Sequence, residues 1–483
     1  MSSVKRAVLM SAVGQYSLQI INFVTVAVIA RLLSPEEIGL FAVATSISFV
    51  ANEIRSFGVA EFLVREKEVT DDKIRRVLGV MVIMSWGLGL LFLIGAGWAA
   101  DFYNEADLMP LLWIISVPFF FAPHSAVPVA LITRNMNFDA LLRVNLVGCF
   151  GRSGISIALV LMGYSYFGLA WGTLTGVVLE FLMITYYRPA GTPWLPVFKN
   201  LKQIFKVGVP ISMAKFLGTI SQNSTDLLLG RMANMHAVGM FSRGFGLIMF
   251  LQSLLTKAVA PVSLPHLAEV SRSGGSVKDA YLKSIVLVGA ITIPVFAVVN
   301  LAAEEMISTL FGDQWLDAIA IASILSWWMI LQTIHCFINS VFLTEHQENY
   351  FLAKEIASII LRVGIILLMI PHGLIYVAWG FVLSGVLEFI VISYLVNKSI
   401  GLSMFETLRA FASNFSVALM CWLVLKSMYL GGIFDGMNSL IALVIIGSSM
   451  IPVWLLAIKF TRNPLWPLLL TIIERVLTKR SPA

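Results

Sequence analysis

The chain has 483 residues, of which 58% are hydrophobic and 12% are charged. Because soluble domains contain about 25% charged residues, this composition and a mean hydropathy of +0.88 exclude a soluble protein and indicate an integral membrane protein. The formal net charge of +6 is distributed along the chain as membrane topology requires, so no nucleic-acid partner is expected.

Fourteen apolar stretches follow one another along the chain, each long enough for a membrane-spanning helix of about 20 residues. They are residues 8–33, 38–56, 77–100, 109–131, 140–162, 165–187, 205–229, 236–259, 280–302, 316–343, 350–371, 374–396, 407–429 and 439–460. This pattern predicts an all-α polytopic membrane protein with about 14 transmembrane helices. The tail at 463–477 is also apolar, but prolines and an arginine interrupt it, which favours a position in the plane of the interface.

Lysine and arginine set the orientation, because the cytoplasmic loops of membrane proteins are enriched in both residues. If the N-terminus is cytoplasmic, the inner loops hold most of these residues, and the outer loops hold only Arg31, Arg231 and Lys426. The outer loops carry acidic residues instead, among them Glu36 and Glu37. This contrast predicts a multi-pass protein with both termini in the cytoplasm.

The loops leave no room for a soluble catalytic domain. The longest, at 188–205 and 260–280, are predicted to be cytoplasmic and non-spanning, and no P-loop is present. Cys149, Cys336 and Cys421 lie in predicted spans without metal-site or disulfide spacing, which indicates buried free thiols. We therefore expect no catalytic residue, no metal site and no cofactor, and a protein that is not an enzyme.

Three groups of residues recur in the same order about 200 positions apart. The matches are Ala30-Arg31-Leu32 and Gly39-Leu40-Phe41 with Gly230-Arg231-Met232 and Gly239-Met240-Phe241; Arg152-Ser153-Gly154-Ile155 with Arg362-Val363-Gly364-Ile365; and Ala170-Trp171-Gly172 and Leu179-Glu180-Phe181 with Ala378-Trp379-Gly380 and Leu387-Glu388-Phe389. The chain therefore contains an internal repeat.

The repeat unit contains six helices, so the two copies have the same orientation in the membrane. Copies of this kind are related by an axis along the membrane normal, and the substrate site is expected in the cleft between them. The predicted organisation is a six-helix bundle at 1–200, a second six-helix bundle at 201–400, and two further transmembrane helices with a cytoplasmic tail at 401–483.

Arg152 and Arg362 lie near the middle of matching predicted spans. A charge at the bilayer centre costs roughly 2.5–3.5 kcal/mol on insertion scales, so it normally faces a partner or a polar cavity. Two such residues predict a central cationic cavity for an anionic substrate. Because the guanidinium group matches phosphate oxygens with a fork of donors, a diphosphate head group fits this cavity. The other candidates for its lining are Lys215, Arg31, Arg231 and Arg243.

Acidic and amide residues accompany these cations. The candidates for polar contacts or for binding a coupling ion are Glu180, Glu388, Asp226, Asn223 and Gln222. The competing interpretation is that Arg152–Glu180 and Arg362–Glu388 are ion pairs between helices, since buried charges are usually paired.

Two further interpretations concern the seventh and tenth spans. In the seventh, Asp226 caps its helix or pairs with Arg231 or Arg243. In the tenth, His335 is expected to make a hydrogen bond between helices.

Two runs near the N-terminus carry the resemblance to a known family. They are Val28-Ile29-Ala30-Arg31-Leu32-Leu33-Ser34-Pro35-Glu36-Glu37-Ile38-Gly39-Leu40-Phe41 and Arg55-Ser56-Phe57-Gly58-Val59-Ala60-Glu61-Phe62-Leu63-Val64-Arg65-Glu66. Both resemble the first part of the bacterial polysaccharide transporter family, and the stretch from Asp226 to Phe241 is similar to its second half. This family consists of oligosaccharide flippases of the multidrug/oligosaccharidyl-lipid/polysaccharide flippase superfamily.

The resemblance implies that the chain moves an undecaprenyl-diphosphate-linked oligosaccharide across the bacterial plasma (inner) membrane, from the cytoplasmic to the outer leaflet, by alternating access. Its product would feed O-antigen, capsule or exopolysaccharide assembly. The implied partners are the lipid-linked oligosaccharide, membrane lipid, and polysaccharide polymerase and chain-length machinery. The resemblance leaves open whether a proton or a sodium ion is coupled to transport.

Three alternatives stay open at this point. A multidrug or cation antiporter of the same superfamily would need a net acidic cavity, which the mid-span arginines disfavour. A polytopic glycan polymerase or ligase would need a long outer loop with catalytic residues, and the outer loops here are short. A lipid II flippase fits the residues of the first hairpin less well than the polysaccharide branch does, and the sequence alone leaves it open.

Overall fold

The computed structural model describes residues 2–55, 70–199, 209–256 and 260–478. In these ranges the chain forms eighteen α-helices and no β-strand, which confirms the predicted all-α class. The helices are α1 Ser2–Leu32, α2 Pro35–Arg55, α3 Asp71–Tyr103, α4 Leu108–Ser116, α5 Pro118–Arg134, α6 Phe138–Leu159, α7 Ser165–Tyr186, α8 Val209–Met232, α9 Met235–Thr256, α10 Ala260–Arg272, α11 Val277–Leu310, α12 Leu316–Ile334, α13 Ile338–Thr344, α14 Glu348–Met369, α15 Leu374–Ile400, α16 Met404–Leu430, α17 Ser439–Phe460 and α18 Leu465–Thr478.

Some residues used in the sequence argument fall outside these ranges. They are most of the second family run, at 56–66, and the inner-loop cations Arg65, Lys67, Lys202, Lys206, Lys257, Lys479 and Arg480. The orientation of the chain in the membrane, which depends on these cations, stays a prediction.

The chain folds as two compact units, Met1–Ser242 and Arg243–Ala483. The first contains α1 to α8 and the first turns of α9, and the second contains the rest of α9 and all later helices. The predicted bundles at 1–200 and 201–400 follow the sequence repeat, and their boundaries stay predictions.

Eleven segments of the described residues are long and apolar enough to cross a membrane. One of them, Phe138–Tyr186, contains both α6 and α7. Two further predicted spans are helical as α8 and α14 but lie outside the eleven segments. The protein is therefore a multi-pass membrane protein, and the count of fourteen crossings stays a prediction.

Two helices are much longer than the spans predicted for them. Helix α3 has 33 residues and α11 has 34, or about 50 Å at 1.5 Å per residue, whereas the apolar core of a bilayer is about 30 Å thick. Thr70 and Ser276 cap their first turns, accepting hydrogen bonds from the backbone of Lys73 at 3.4 Å and of Asp279 at 3.2 Å. The predicted span 77–100 missed mainly the capped polar start of α3, and the predicted span 280–302 missed mainly the end of α11, where Glu304 and Glu305 interrupt the apolar run.

The predicted loop at 260–280 is partly helical, which corrects the sequence analysis. Helix α10 occupies Ala260–Arg272 and is 13 residues long. It ends before a turn at Gly274, whose φ of +73° favours glycine. A helix this short does not span a bilayer, so a search for span-length apolar stretches passed over it.

Helices α6 and α7 form an antiparallel hairpin that turns at Gly163, where φ is 89°. Small residues let the two helices approach closely. A Cβ atom at Gly148 would overlap the carboxyl group of Glu180, and one at Gly172 would overlap the hydroxyl of Ser156. In the second unit, α14 and α15 form the corresponding hairpin and turn at Gly373, where φ is 106°.

The C-terminal helices pack on α11 through polar groups as well as an apolar core. The indole of Trp454 donates to the carbonyl of Ala290 at 2.9 Å. Asn414 is fully buried; its amide donates to the carbonyl of Val286 at 2.9 Å and its oxygen accepts from Asn463 at 2.6 Å. These bonds join α16 and α17 to α11, and they join the residues just before α18 to α16.

Candidate functional site

The first predicted arginine, Arg152, forms an ion pair across the α6–α7 hairpin. Its Nη2 lies 3.3 Å from Oε1 of Glu180, and the two side chains are 39% and 29% exposed. Glycine makes room for the pair, since a Cβ atom at Gly176 would lie 2.9 Å from the Cβ of Arg152. Arg152 is therefore paired and still open on one side.

The second predicted arginine, Arg362, is paired in a closed environment. Its Nη2 lies 3.1 and 3.2 Å from the two carboxylate oxygens of Glu388, which also accepts from Gln332 at 2.8 Å. The guanidinium lies over the rings of Trp328, at 5.4 Å, and Phe381, at 5.6 Å. Only 8% of the arginine side chain and 2% of the glutamate side chain are exposed.

The two pairs confirm the interpretation that these charges join helices. They also occupy repeat-equivalent positions, since each arginine lies on the first helix of a hairpin and each glutamate on the second. Their environments differ, however, because Trp328, Phe381 and Gln332 enclose the second pair. Of the two arginines, Arg152 is the more exposed.

The remaining basic candidates in the first unit are at or near helix ends. Arg31 and Arg231 are exposed in the last turns of α1 and α8, and the Arg231 guanidinium lies 5.1 Å from the ring of Phe102. Lys215 is exposed on α8.

Asp226 is held by hydroxyl groups from two other helices. Its Oδ2 accepts from Ser46 of α2 and its Oδ1 accepts from Ser242 of α9, both at 3.0 Å. The carboxylate is thus bonded to these two serines, and Arg231, one of the partners expected for it, lies over the ring of Phe102 instead. Ser46 and Ser242 were missed in the sequence, where hydroxyl residues in apolar helices have no distinguishing pattern.

Two amide residues of α8 have different environments. Asn223 donates its amide to the carbonyl of Thr219 in its own helix at 2.8 Å, whereas Gln222 is exposed. In the second unit, the guanidinium of Arg243 lies 5.3 Å from the ring of Trp315 and 5.8 Å from that of Phe311. Arg243 thus has aromatic partners that the sequence alone did not indicate.

Repeat-equivalent residues contact each other where α2 and α9 begin. Oε1 of Glu36 lies 2.7 Å from Nδ1 of His236. The two residues are 200 positions apart in sequence, which is the offset between the two repeats at this point. A Cβ atom at Gly39 would overlap the carbonyl of Met235, and one at Gly239 would overlap the carbonyl of Pro35. Both contacts lie within the first unit and join residues that hold the same position in the two sequence repeats.

The structure also bears on the histidine and cysteine residues. The ring of His335 bonds the hydroxyl of Tyr281 and the hydroxyl of Ser393, both at 3.0 Å, which confirms the expected hydrogen bond between helices. The three cysteines are free; Cys149 and Cys421 are buried as predicted, whereas Cys336 is only partly buried. Among the described residues, no group of histidine, cysteine or acidic side chains is arranged to hold a metal ion.

A family model described as "Polysaccharide biosynthesis protein" matches residues 28–320, which is more than half of the chain. The chain belongs to this family. The resemblance seen in the first hairpin is thereby confirmed, and polysaccharide biosynthesis is the process to which the family model refers.

Individual relatives of this polysaccharide biosynthesis protein are distant but extensive. It is 18% identical over 404 residues to the teichuronic acid biosynthesis protein TuaB of Bacillus subtilis (strain 168), with 82% of each chain covered. It is 20% identical to the lipopolysaccharide biosynthesis protein WzxC of Escherichia coli (strain K12), covering 79% of this chain and 78% of that one. The solved structure of the lipid II flippase MurJ, in an inward closed conformation, superposes with a TM-score of 0.78 at 13% identity, covering 94% and 99% of the two chains.

Proposed function

We propose that this protein moves an undecaprenyl-diphosphate-linked oligosaccharide from the cytoplasmic to the outer leaflet of the bacterial plasma membrane. The observation that carries the proposal is the half-exposed Arg152, a permanent cation within an apolar hairpin of a polysaccharide biosynthesis protein. The glycan would serve O-antigen, capsule or exopolysaccharide assembly, with the polymerase and chain-length machinery acting after it.

The geometry of Arg152 suits a diphosphate in transit. Nη2 is used by Glu180, and Nη1 has no acceptor in the described part of the chain. A phosphate oxygen can therefore bond Nη1 while the carboxylate keeps the guanidinium in place. Glu180 also balances the charge of Arg152 when no substrate is bound, which lowers the free energy of placing the arginine within lipid.

Arg362 has a different role in this proposal. Both oxygens of Glu388 and two aromatic rings occupy its surroundings, so a head group would have to break the ion pair to reach it. We assign Arg362 to the rigidity of the α14–α15 hairpin. The functional cation is thus expected in the first unit, although the sequence places one arginine in each repeat.

Alternating access requires the junction between α2 and α9 to open. By the charge distribution of the loops, Glu36 and His236 belong to the outer side of the membrane. Their contact and the close approach at Gly39 and Gly239 hold this end together in the structure. A sugar head group would leave on this side only after the junction separates.

Asp226 is our candidate for coupling transport to a proton or a sodium ion. Its carboxylate joins α8 to α2 and α9 through two neutral hydroxyls, and neutral donors do not compensate its charge. A single positive charge would do so. Because α2, α8 and α9 meet at the outer junction, binding of a cation to Asp226 would change the contacts that must break when the protein opens.

The test uses a strain that lacks this protein, complemented with variants whose membrane levels are matched. Arg152→Gln is expected to lower surface glycan about tenfold or more, since a charge-assisted hydrogen bond contributes about 1.5–3 kcal/mol, and lipid-linked precursor should accumulate on the cytoplasmic side. Arg143→Gln, on the same helix and exposed, is the matched control and should export normally. Normal export by Arg152→Gln would refute the proposed role.

A further inference from the structure

The chain between α7 and α8 is not helical at 187–199, and it packs against other parts of the first unit. The backbone N–H of Val197 donates to the carbonyl of Arg75 at 3.0 Å. A Cβ atom at Gly79 would overlap the carbonyl of Val197. Nη2 of Arg188 donates to the carbonyls of Pro193 at 2.7 Å and Thr192 at 3.4 Å. This segment, the linker, is therefore shaped by Arg188 and lies against the start of α3.

Three side chains come together where the linker meets α5. The guanidinium of Arg188 lies 3.6 Å from the ring of Trp194, and the ring of His124 lies 5.8 Å from the same indole. We call Arg188, His124 and Trp194 the linker cluster. It is distinct from the Arg152–Glu180 pair, with which it shares no residue.

The linker cluster is rich in donors and has no acidic member. Nε and Nη1 of Arg188 and Nδ1 of His124 are buried and lack a hydrogen-bond partner. In the described part of the chain no carboxylate pairs with either residue. Burial lowers the pKa of Arg188, which is what an uncompensated charge produces. Buried polar atoms are nearly always bonded in native proteins, so three unpaired nitrogens at one place leave hydrogen-bonding capacity for a bound group.

The surroundings indicate which group. Trp194, Leu195 and Phe198 are 47%, 71% and 56% exposed although they belong to a connecting segment. Tryptophan is enriched at the level of lipid head groups, and contiguous exposed apolar residues mark a surface that another apolar phase covers. The linker also joins the cytoplasmic ends of the helices in the predicted orientation. Cationic donors beside exposed apolar side chains match a lipid phosphate with its acyl chains.

We propose that the linker cluster binds the phosphate group of a lipid in the cytoplasmic leaflet. The guanidinium of Arg188 supplies a fork of donors for phosphate oxygens, His124 supplies a third nitrogen, and Leu195 and Phe198 contact the chains. The indole of Trp194 covers the donors in the structure and turns aside when a head group enters. The side of the membrane rests on the proposed function; the chemistry of the site does not.

The experiment measures lipid binding to the purified full chain by native mass spectrometry, without transport. The probes are phosphatidylglycerol, undecaprenyl diphosphate, inorganic phosphate and dioleoylglycerol, which lacks a phosphate. Arg188→Gln should weaken binding of a phosphate lipid about tenfold and leave dioleoylglycerol unchanged. Arg143→Gln is the matched control, because Arg143 lies at the same end of the hairpin, where it bonds the Tyr187 hydroxyl at 3.2 Å.

The outcomes separate the possibilities. Loss for undecaprenyl diphosphate alone would identify a substrate site, and loss for phosphatidylglycerol as well would identify a general lipid site; both support the proposal. Equal loss in both arginine variants, no loss in either, or binding of inorganic phosphate as tight as that of the lipids would overturn it. If Arg188→Gln does not fold, His124→Gln decides, with an unchanged affinity overturning the proposal. Normal glycan export by Arg152→Gln would leave this result untouched.

Discussion

Removing the carboxylate of Glu388 tests how differently the two equivalent ion pairs are built. In Glu388→Ala the guanidinium of Arg362, whose side chain is 8% exposed, loses its counter-charge, and Gln332 loses its acceptor. Breaking a buried pair by removing one partner costs about 3–5 kcal/mol, because the remaining charge is left uncompensated. Glu180→Ala removes the equivalent carboxylate from a pair that is 39% and 29% exposed, where partial exposure screens the charge that remains and makes the loss of stability smaller.

The assay is thermal or denaturant unfolding of the two purified variants in the same detergent, followed by intrinsic fluorescence. We expect Glu388→Ala to be several kcal/mol less stable than Glu180→Ala. A double variant, Arg362→Met with Glu388→Met, should recover most of the loss, since apolar residues of similar volume replace buried pairs at little cost. If Glu180→Ala is as unstable as Glu388→Ala, or if the double variant is no better than the single one, the distinction between a closed and an open pair is wrong.

Three further predictions concern the outer junction and the C-terminal helices. Gly39→Val should lower export severely, because its Cβ would overlap the carbonyl of Met235; wild-type export by a normally expressed variant would contradict this. In a background without the natural cysteines, Glu36→Cys with His236→Cys should be joined by a short bis-methanethiosulfonate, because the native side chains are 2.7 Å apart. Joining should stop export and reduction should restore it, whereas each single variant should be unaffected; export that continues while joined would show that this end need not open. Asn414→Ala should destabilise the protein by about 1–3 kcal/mol, since it leaves buried partners unsatisfied; an unchanged unfolding midpoint would argue against this.

The sequence predicted the helices wherever apolar length decides the structure. Helix α10 was missed because a short, partly polar helix leaves no span-length signal. The start of α3 was missed because its capped first turn is polar, and the end of α11 was missed because Glu304 and Glu305 interrupt the apolar run.

The candidate site divides in the same way. The pairing of Arg152 with Glu180 and of Arg362 with Glu388 was predictable, since buried charges seek opposite charges. Their unequal exposure was not, because it depends on Trp328 and other residues that are remote in sequence and close only after folding.

The contact between Glu36 and His236 had a readable signal that the sequence analysis did not use. The two residues hold the same position in the two repeats. Positions that match between the two repeats are candidates for direct contact, and Glu36 with His236 is such a pair.

The glycines at 39 and 239 constrain the sequences of both repeats at once. Where α2 and α9 cross, each glycine lies so close to the backbone of the other repeat that a Cβ atom would not fit. A larger residue in either repeat would push the backbone of the other away. The two repeats can therefore differ at other positions, but both must keep glycine at this one.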